Sequence, residues 1–249
     1  MDPPRLAPLS RAFLQPPDRT TPSGRTTGYR PGPVDHLHVQ GLLDPHLARV
    51  TYPDRFDLRD EGRMPSVKDQ GHFPTCWLFA AMGALESCQL PQTRWDFSEW
   101  YLNRIHGFDI GVEDGGTAAM VMATLLRRNG PVREHEAPYP TGSTPTDIDE
   151  NLLPAMHLSE AIVLPQRRNG LDNQTVKHFL MTHGAIDFAM TFLFDNSLNT
   201  QTYAYYSNST TGQNHRLCMV GWDDHYPAGN FSRTPDRKST RLNSSHFVP

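Results

Sequence analysis

One cysteine of the chain stands where a sulfur nucleophile could act. Cys76 lies in the stretch "QGHFPTCWLFAAMGALES", after a turn and at the start of a run of strong helix formers. Thr75 is a good N-cap residue, which would place Cys76 in the first helical turn. There the unpaired N–H groups and the helix dipole stabilise a thiolate and lower the thiol pKa. The alternative is a cysteine that is simply buried as a small apolar residue.

A nucleophilic thiol needs a base, and His215 is the candidate. It follows an asparagine and opens the apolar run "RLCMVGW", which is typical of a buried β-strand. A histidine there could accept the thiol proton and later protonate a leaving amine. Because the chain contains 12 histidines, the residues around His215, rather than its distance from Cys76, single it out.

The segment "VKDQGHFPTCWLFAA" resembles the active-site segment of papain-like (C1 family) cysteine peptidases. In that family a glutamine six residues before the nucleophile forms part of the oxyanion hole, and Gln70 has this spacing (76 − 70 = 6). The resemblance implies that the Gln70 side chain and the Cys76 backbone N–H stabilise the tetrahedral intermediate. His215 lies 139 residues beyond Cys76 (215 − 76 = 139), as the family's histidine does. The implied reaction is peptide-bond hydrolysis through an acyl-enzyme, without a cofactor.

A glycine pair supports the same resemblance. Gly115 and Gly116 match the family's Gly-Gly on the cleft wall, which implies that they pair with the backbone of a bound substrate. A turn before a helix would also need glycines, and that alternative stays open. The segments "SEWYLNRIHGFDIGVEDGG" and "VGWDDHYPAGNF" further resemble bacterial and archaeal C1 peptidases that carry a lectin-like domain. This resemblance implies a secreted or cell-surface protein.

Two features depart from the family pattern. Phe73-Pro74-Thr75 replaces the family's Cys-Gly-Ser, whose cysteine forms a disulfide. The asparagine that orients the family's histidine lies in an "NSWG" motif, which the chain lacks. Asn230 is the alternative within the chain, and we otherwise expect this asparagine beyond Pro235. A non-catalytic papain-like module for binding or adhesion at a cell surface therefore remains the alternative function.

The last residues have an unusual origin. "DRKSTRLNSSH", Asp236 to His246, matches a translated sequencing adapter codon by codon, so we expect 236–249 to be a non-biological tail. The closing β-strands would then be missing. We expect such a fragment to leave strand edges unpaired, to fold poorly and to be nearly inactive.

The elements around these residues predict an α+β, papain-like fold of two lobes, with the β lobe incomplete. We divide the chain into a Pro-rich leader or propeptide-like extension (1–50), the peptidase domain (51–235) and the tail (236–249). The leader is expected to lie on a surface or to be partly disordered. Helices are predicted at 75–90, 97–108, 115–132 and 173–184, and strands at 185–192, 201–209 and 215–224.

Composition excludes several other classes. A net charge of −4 gives no electrostatic case for nucleic acid. No apolar run approaches the roughly 20 residues that cross a bilayer, so stable membrane insertion is not expected. Cys76, Cys88 and Cys218 form neither a disulfide framework nor a zinc motif. His36 and His38 could bind a metal, but nothing nearby completes a site, and we predict none. The expected partners are polypeptide substrates.

Overall fold

The computed structural model describes residues 27–30, 50–167, 169–193, 197–209, 212–233 and 235, and the backbone of 241–244. Most of the leader, including His36 and His38, and most of the tail lie outside these residues. In the described part, no helix combines the length and apolar character that a membrane span requires.

In the part of the chain that the structure describes, four helices occupy the predicted stretches: α1 (Cys76–Gln89), α2 (Glu99–Ile105), α3 (Ala118–Leu126) and α4 (Gln174–Thr182). The prediction that Cys76 lies in the first turn of this helix is confirmed. Hydroxyl caps begin the next two helices, because Ser98 accepts from the N–H of Tyr101 and Thr117 accepts from that of Met120. Between 139 and 165 the chain is irregular, as predicted.

The strands among the described residues pair in antiparallel fashion and number six: β1 (Arg55–Asp57), β2 (Ile186–Met190), β3 (Leu198–Asn199), β4 (Ala204–Tyr205), β5 (His215–Asp223) and β6 (Arg241–Ser244). The long strand β5 lies between β1 and β2, and β3 pairs with β4. Met190 stands opposite His215, and Arg55 stands opposite Asp223. The α+β class is confirmed.

Two predictions about the β lobe are wrong. Of the strand expected over 201–209, only Ala204–Tyr205 is formed, because Gln201–Tyr203 make a turn in which Tyr203 has φ 55°. The β lobe was expected to keep unpaired strand edges because its closing strands would be missing, yet the backbone of β6 pairs with β5 from Met219 to Asp223.

Helix α1 is the centre of the molecule. It packs against β5 and β2 on one side and against α3 and α2 on the other. The helical lobe has its own apolar core, which includes Trp77, Met82 and Leu102. The β lobe has a smaller one around Leu180 and Trp222. Both faces of α1 are therefore buried, and its N-terminus lies where the two lobes meet.

A buried ionic cluster ties the chain before α1 to the helical lobe. Lys68 Nζ lies 3.1 Å from a Glu99 carboxylate oxygen, 3.5 Å from Glu86 and 2.8 Å from Asp96. It also donates to the Phe97 carbonyl at 2.6 Å. Burial raises the pKa of Glu99 to about 8. Although burial alone would lower the pKa of Lys68, the three carboxylates raise it overall. The positive charge of Lys68 thus offsets part of the cost of burying the Glu86 and Glu99 carboxyl groups.

Replacing this lysine should destabilise the fold strongly. We expect Lys68→Met to lower the free energy of unfolding by about 3–5 kcal/mol, because it leaves buried carboxylates without a cation. The matched control is Arg55→Met, whose partner Asp60 is exposed at 3.2 Å, and it should cost at most about 1 kcal/mol. Urea unfolding measures both. Equal losses for the two variants would contradict the structural role given to Lys68.

Candidate active site

Cys76 lies at the first position of α1 and is almost fully buried. Thr75 occupies the cap position, but its side chain makes no hydrogen bond to the helix. The prediction that Thr75 caps α1 is therefore wrong. Its hydroxyl lies 2.5 Å from the Tyr139 hydroxyl instead, so it fixes the loop before the helix to the helical lobe.

Tyr139 holds both ends of the loop that leads to Cys76. Its hydroxyl donates to the Gln70 carbonyl at 2.9 Å and also contacts Thr75. The Gln70 side-chain amide donates to the Phe73 carbonyl at 3.0 Å, within the same loop. The glutamine predicted for the oxyanion hole thus stands in the loop beside the nucleophile, with its amide engaged by a loop carbonyl.

Aromatic packing occupies the position where the family has a disulfide cysteine. Phe73 is buried, and its ring centroid lies 4.8 Å from that of Trp100 and 6.2 Å from that of Tyr139. Phe79 of α1 packs against Tyr139 from the other side, at 5.0 Å. The loop is therefore held by an apolar cluster of four rings.

His215 begins β5, and its ring packs 5.7 Å from that of Phe192. The backbone N–H and the charge of the next residue, Arg216, both act to lower the pKa of the Cys76 thiol, so Arg216 lies near this thiol. That N–H belongs to the peptide bond that joins His215 to Arg216. The start of α1, which carries Cys76, therefore lies close to the start of β5, which carries His215.

Gly115 and Gly116 lie beside this junction, before α3. Gly115 has φ 72°, a left-handed conformation that favours glycine. A Cβ on Gly116 would lie 2.5 Å from the Trp77 ring, so only glycine fits against that indole. Its N–H donates to the Gly28 carbonyl and its carbonyl accepts from the Arg30 N–H, both at 2.8 Å. Gly116 therefore pairs its backbone with an extended chain.

That extended chain is part of the leader, Thr27–Arg30. The expectation that the leader lies on a surface is wrong for these four residues, which are all buried. The Gly28 N–H donates to the Cys76 sulfur at 3.2 Å. A Cβ on Gly28 would lie 1.7 Å from the Pro74 carbonyl oxygen. The close approach of this segment to the nucleophile loop explains why residue 28 is glycine.

The thiol does not have the lowered pKa that its place at a helix N-terminus predicts. Burial raises the pKa of Cys76, and this effect exceeds the lowering by the N–H groups of Arg216 and Gly28 and by the Arg216 charge. The expectation neglected the segment that covers the sulfur and excludes water. Cys218 is also buried, as predicted, and burial raises its pKa well above the usual value. Cys88 is exposed.

Sequence reasoning missed one ion pair near Cys76. Arg216 Nε donates to Asp187 Oδ1 at 2.7 Å, and the two side chains are largely buried between β2 and β5. A signal was available, since "AIDFAM" and "HRLCMVGW" each place a single charge within an apolar strand. Opposite charges in such settings are buried only when they are paired.

The remaining candidates lie elsewhere. The carbonyl of Asn230 accepts hydrogen bonds from the side chains of Asn199 and Thr202, which places this residue against the β3–β4 hairpin. Among the described residues, no group of three or more metal-ligating side chains could hold an ion.

The sequence is similar to those of several known cysteine proteases. The viral cathepsin of Heliothis zea nuclear polyhedrosis virus is 25% identical over 179 residues, covering 70% of this chain and 46% of its own. Cathepsin L of Sarcophaga peregrina is 51% identical over 39 residues, 16% of this chain and 12% of its own. The chain spans about half or less of the length of the curated relatives it matches.

Solved structures share the fold. The protease and lectin-like domains of Cwp84, a surface layer associated protein of Clostridium difficile, match with a TM-score of 0.64 at 22% identity, covering 79% of this chain and 45% of that one. Procathepsin L2 of Tenebrio molitor larval midgut matches with a TM-score of 0.61 at 24% identity, covering 82% and 67%. The model of the papain family cysteine proteases matches residues 52–231. The chain therefore belongs to the papain family of cysteine proteases.

Proposed function

We propose that the protein is a cysteine-type endopeptidase, with Cys76 as nucleophile, His215 as base and Gln70 as an oxyanion donor. The main support for this proposal is that an extended segment of the leader lies against the Cys76 thiol. Gly28 donates to the Cys76 sulfur while its carbonyl accepts from Gly116. A site that holds one stretch of peptide backbone in this way can hold another, and polypeptides are the proposed substrates.

In the proposed reaction the Cys76 sulfur attacks a peptide carbonyl carbon and its proton passes to His215. The developing oxyanion accepts from the Cys76 N–H, which has no acceptor within the helix. It also accepts from the Gln70 amide, once that amide leaves the Phe73 carbonyl. The C–N bond then breaks as His215 protonates the amine, and water, deprotonated by His215, releases the acyl group.

We further infer that residues 1–50 act as an inhibitory propeptide of the domain over 51–235. The segment Thr27–Arg30 runs parallel to Gly116 and presents an N–H, rather than a carbonyl carbon, to the sulfur. Arg30 anchors it by donating to the Asp114 carbonyl at 2.6 Å. These contacts support a segment that fills the cleft without being positioned for attack.

Two features favour the alternative, a non-catalytic binding module. Burial raises the pKa of Cys76, and the Gln70 amide is bonded to its own loop. Both follow equally from a cleft filled by its propeptide, which a peptidase would release. The fold similarity to the surface-layer protein supports the proposals that this chain is secreted or cell-surface and related to the bacterial and archaeal C1 group.

Unseating the leader should expose the thiol. We expect Gly28→Ala to speed the reaction of Cys76 with iodoacetamide by on the order of tenfold or more, because the added methyl collides with Pro74. Gly142→Ala is the matched control, since a Cβ there meets nothing within 4 Å. Peptide mapping by mass spectrometry measures labelling, with exposed Cys88 as internal reference. An unchanged rate at Cys76 would refute inhibition by this segment.

A peptidyl epoxide should then distinguish a peptidase from a binding module. In the Gly28→Ala protein it should alkylate Cys76 in preference to Cys88, and His215→Ala should slow this reaction because the imidazole promotes the thiolate. Cys76→Ala should abolish both labelling and any peptide hydrolysis, whereas Cys88→Ala should change neither. Equal labelling of Cys76 and Cys88, unaffected by His215→Ala, would favour the binding module.

A further inference from the structure

One side chain of the leader occupies a pocket next to the nucleophile. Tyr29 follows Gly28, whose N–H contacts the Cys76 sulfur, and it forms a bridge with Gly116. Its side chain is buried, and its N–H donates to the Asn214 carbonyl at 3.2 Å. The residue whose backbone pairs with Gly116 therefore places its side chain between the two lobes, one residue from the reacting sulfur.

The wall of this pocket is a guanidinium group. The Arg216 guanidinium carbon lies 4.9 Å from the centre of the Tyr29 ring, within the range of a cation–π contact. Its Nε is fixed by Asp187 at 2.7 Å. Because Arg216 and Asp187 stand on the adjacent strands β5 and β2, the sheet itself holds the guanidinium in place.

The ion pair decides which side chains this wall favours. Asp187 already supplies the negative charge that Arg216 needs, so a second carboxylate would compete with a partner bound at 2.7 Å. The guanidinium face stays available for stacking, and a planar aromatic ring uses it better than a branched aliphatic group. Beyond Tyr29 the cleft has a volume of about 1070 Å³ and apolar walls that include Met122 and Leu158, so it can admit large rings.

We propose that Arg216, fixed by Asp187, is the specificity-determining residue of this subsite and selects an aromatic side chain over a branched aliphatic or acidic one. Only the part of this proposal that concerns substrates rests on the proposed peptidase function.

The direction of the substrate decides which of its side chains is selected. In an antiparallel pair, one residue exchanges both hydrogen bonds with its partner. A substrate running opposite to the leader would pair one residue with Gly116 and present the carbonyl of the following residue to Cys76. The selected side chain is then the second one before the scissile bond.

The first test measures this preference directly. Peptidyl epoxides with Tyr, Phe, Leu or Glu at that position react with the Gly28→Ala protein, and the second-order labelling rate at Cys76 is measured for each. Tyr and Phe should exceed Leu by on the order of tenfold and Glu by more. Arg216→Lys keeps the charge but removes the planar face, and it should bring the Phe-to-Leu ratio close to one. A Leu or Glu preference in the unsubstituted pocket would overturn the proposal.

A second test uses the leader as the ligand and needs no peptidase activity. In the full chain, Tyr29→Leu should raise the iodoacetamide labelling rate of Cys76 by on the order of tenfold, whereas Tyr29→Phe should leave it unchanged. Tyr203→Leu, at an exposed turn, is the control and should have no effect.

The two arms separate the two proposals. If Tyr29→Leu and Tyr29→Phe behave as expected but no epoxide or peptide reacts, the peptidase proposal fails and the aromatic subsite stands. If Tyr29→Leu protects Cys76 as well as tyrosine does, the subsite proposal fails whatever the activity. If urea unfolding shows that Arg216→Lys does not fold, the labelling rates of the Tyr29 variants test the subsite proposal in its place.

Discussion

The packing of β5 against α1 is the contact on which the other features depend. Helix α1 has no solvent-facing side of any width, and β5 is the strand that pairs with β1, β2 and β6. Their junction puts a helix N-terminus near a strand N-terminus, so the backbone N–H of Arg216 acts to lower the pKa of the Cys76 thiol. Apolar burial on both sides of α1 fixes this junction, because tilting the helix would open both cores. The apolar packing around α1 thus fixes the position of Cys76 relative to the start of β5.

The same burial explains the electrostatics of the closed site. With Thr27–Arg30 in place, the thiol is surrounded by protein, and desolvation outweighs two N–H donors and a nearby guanidinium. Desolvation falls when the segment leaves, while the helix N-terminus and Arg216 remain. The expected direction after release is therefore a lower thiol pKa. The segment Thr27–Arg30 therefore affects both the exposure of the Cys76 sulfur and the pKa of its thiol.

Local patterns predicted part of this structure. The start of α1 at Cys76 and the long strand from His215 were evident because helix formers and an apolar run are properties of neighbouring residues. The burial of Tyr29 was not predictable, since its contacts with Gly116 and Arg216 join distant parts of a leader that has no periodicity. Nor was the bond between Thr75 and Tyr139, 64 residues apart, which takes the hydroxyl away from the helix. Charges at 187 and 216 become partners only once the register of β2 and β5 is known.

The rings around Phe73 give the nucleophile loop a property that a disulfide could not. A disulfide holds a loop only while the surroundings keep it oxidised, and its loss under reducing conditions would loosen the residues next to the sulfur. The tilted and edge-to-face packing of Phe73, Phe79, Trp100 and Tyr139 involves no electron transfer. Reductants that keep Cys76 as a thiol therefore leave the loop before α1 unchanged, so the redox state of Cys76 does not affect the geometry of that loop.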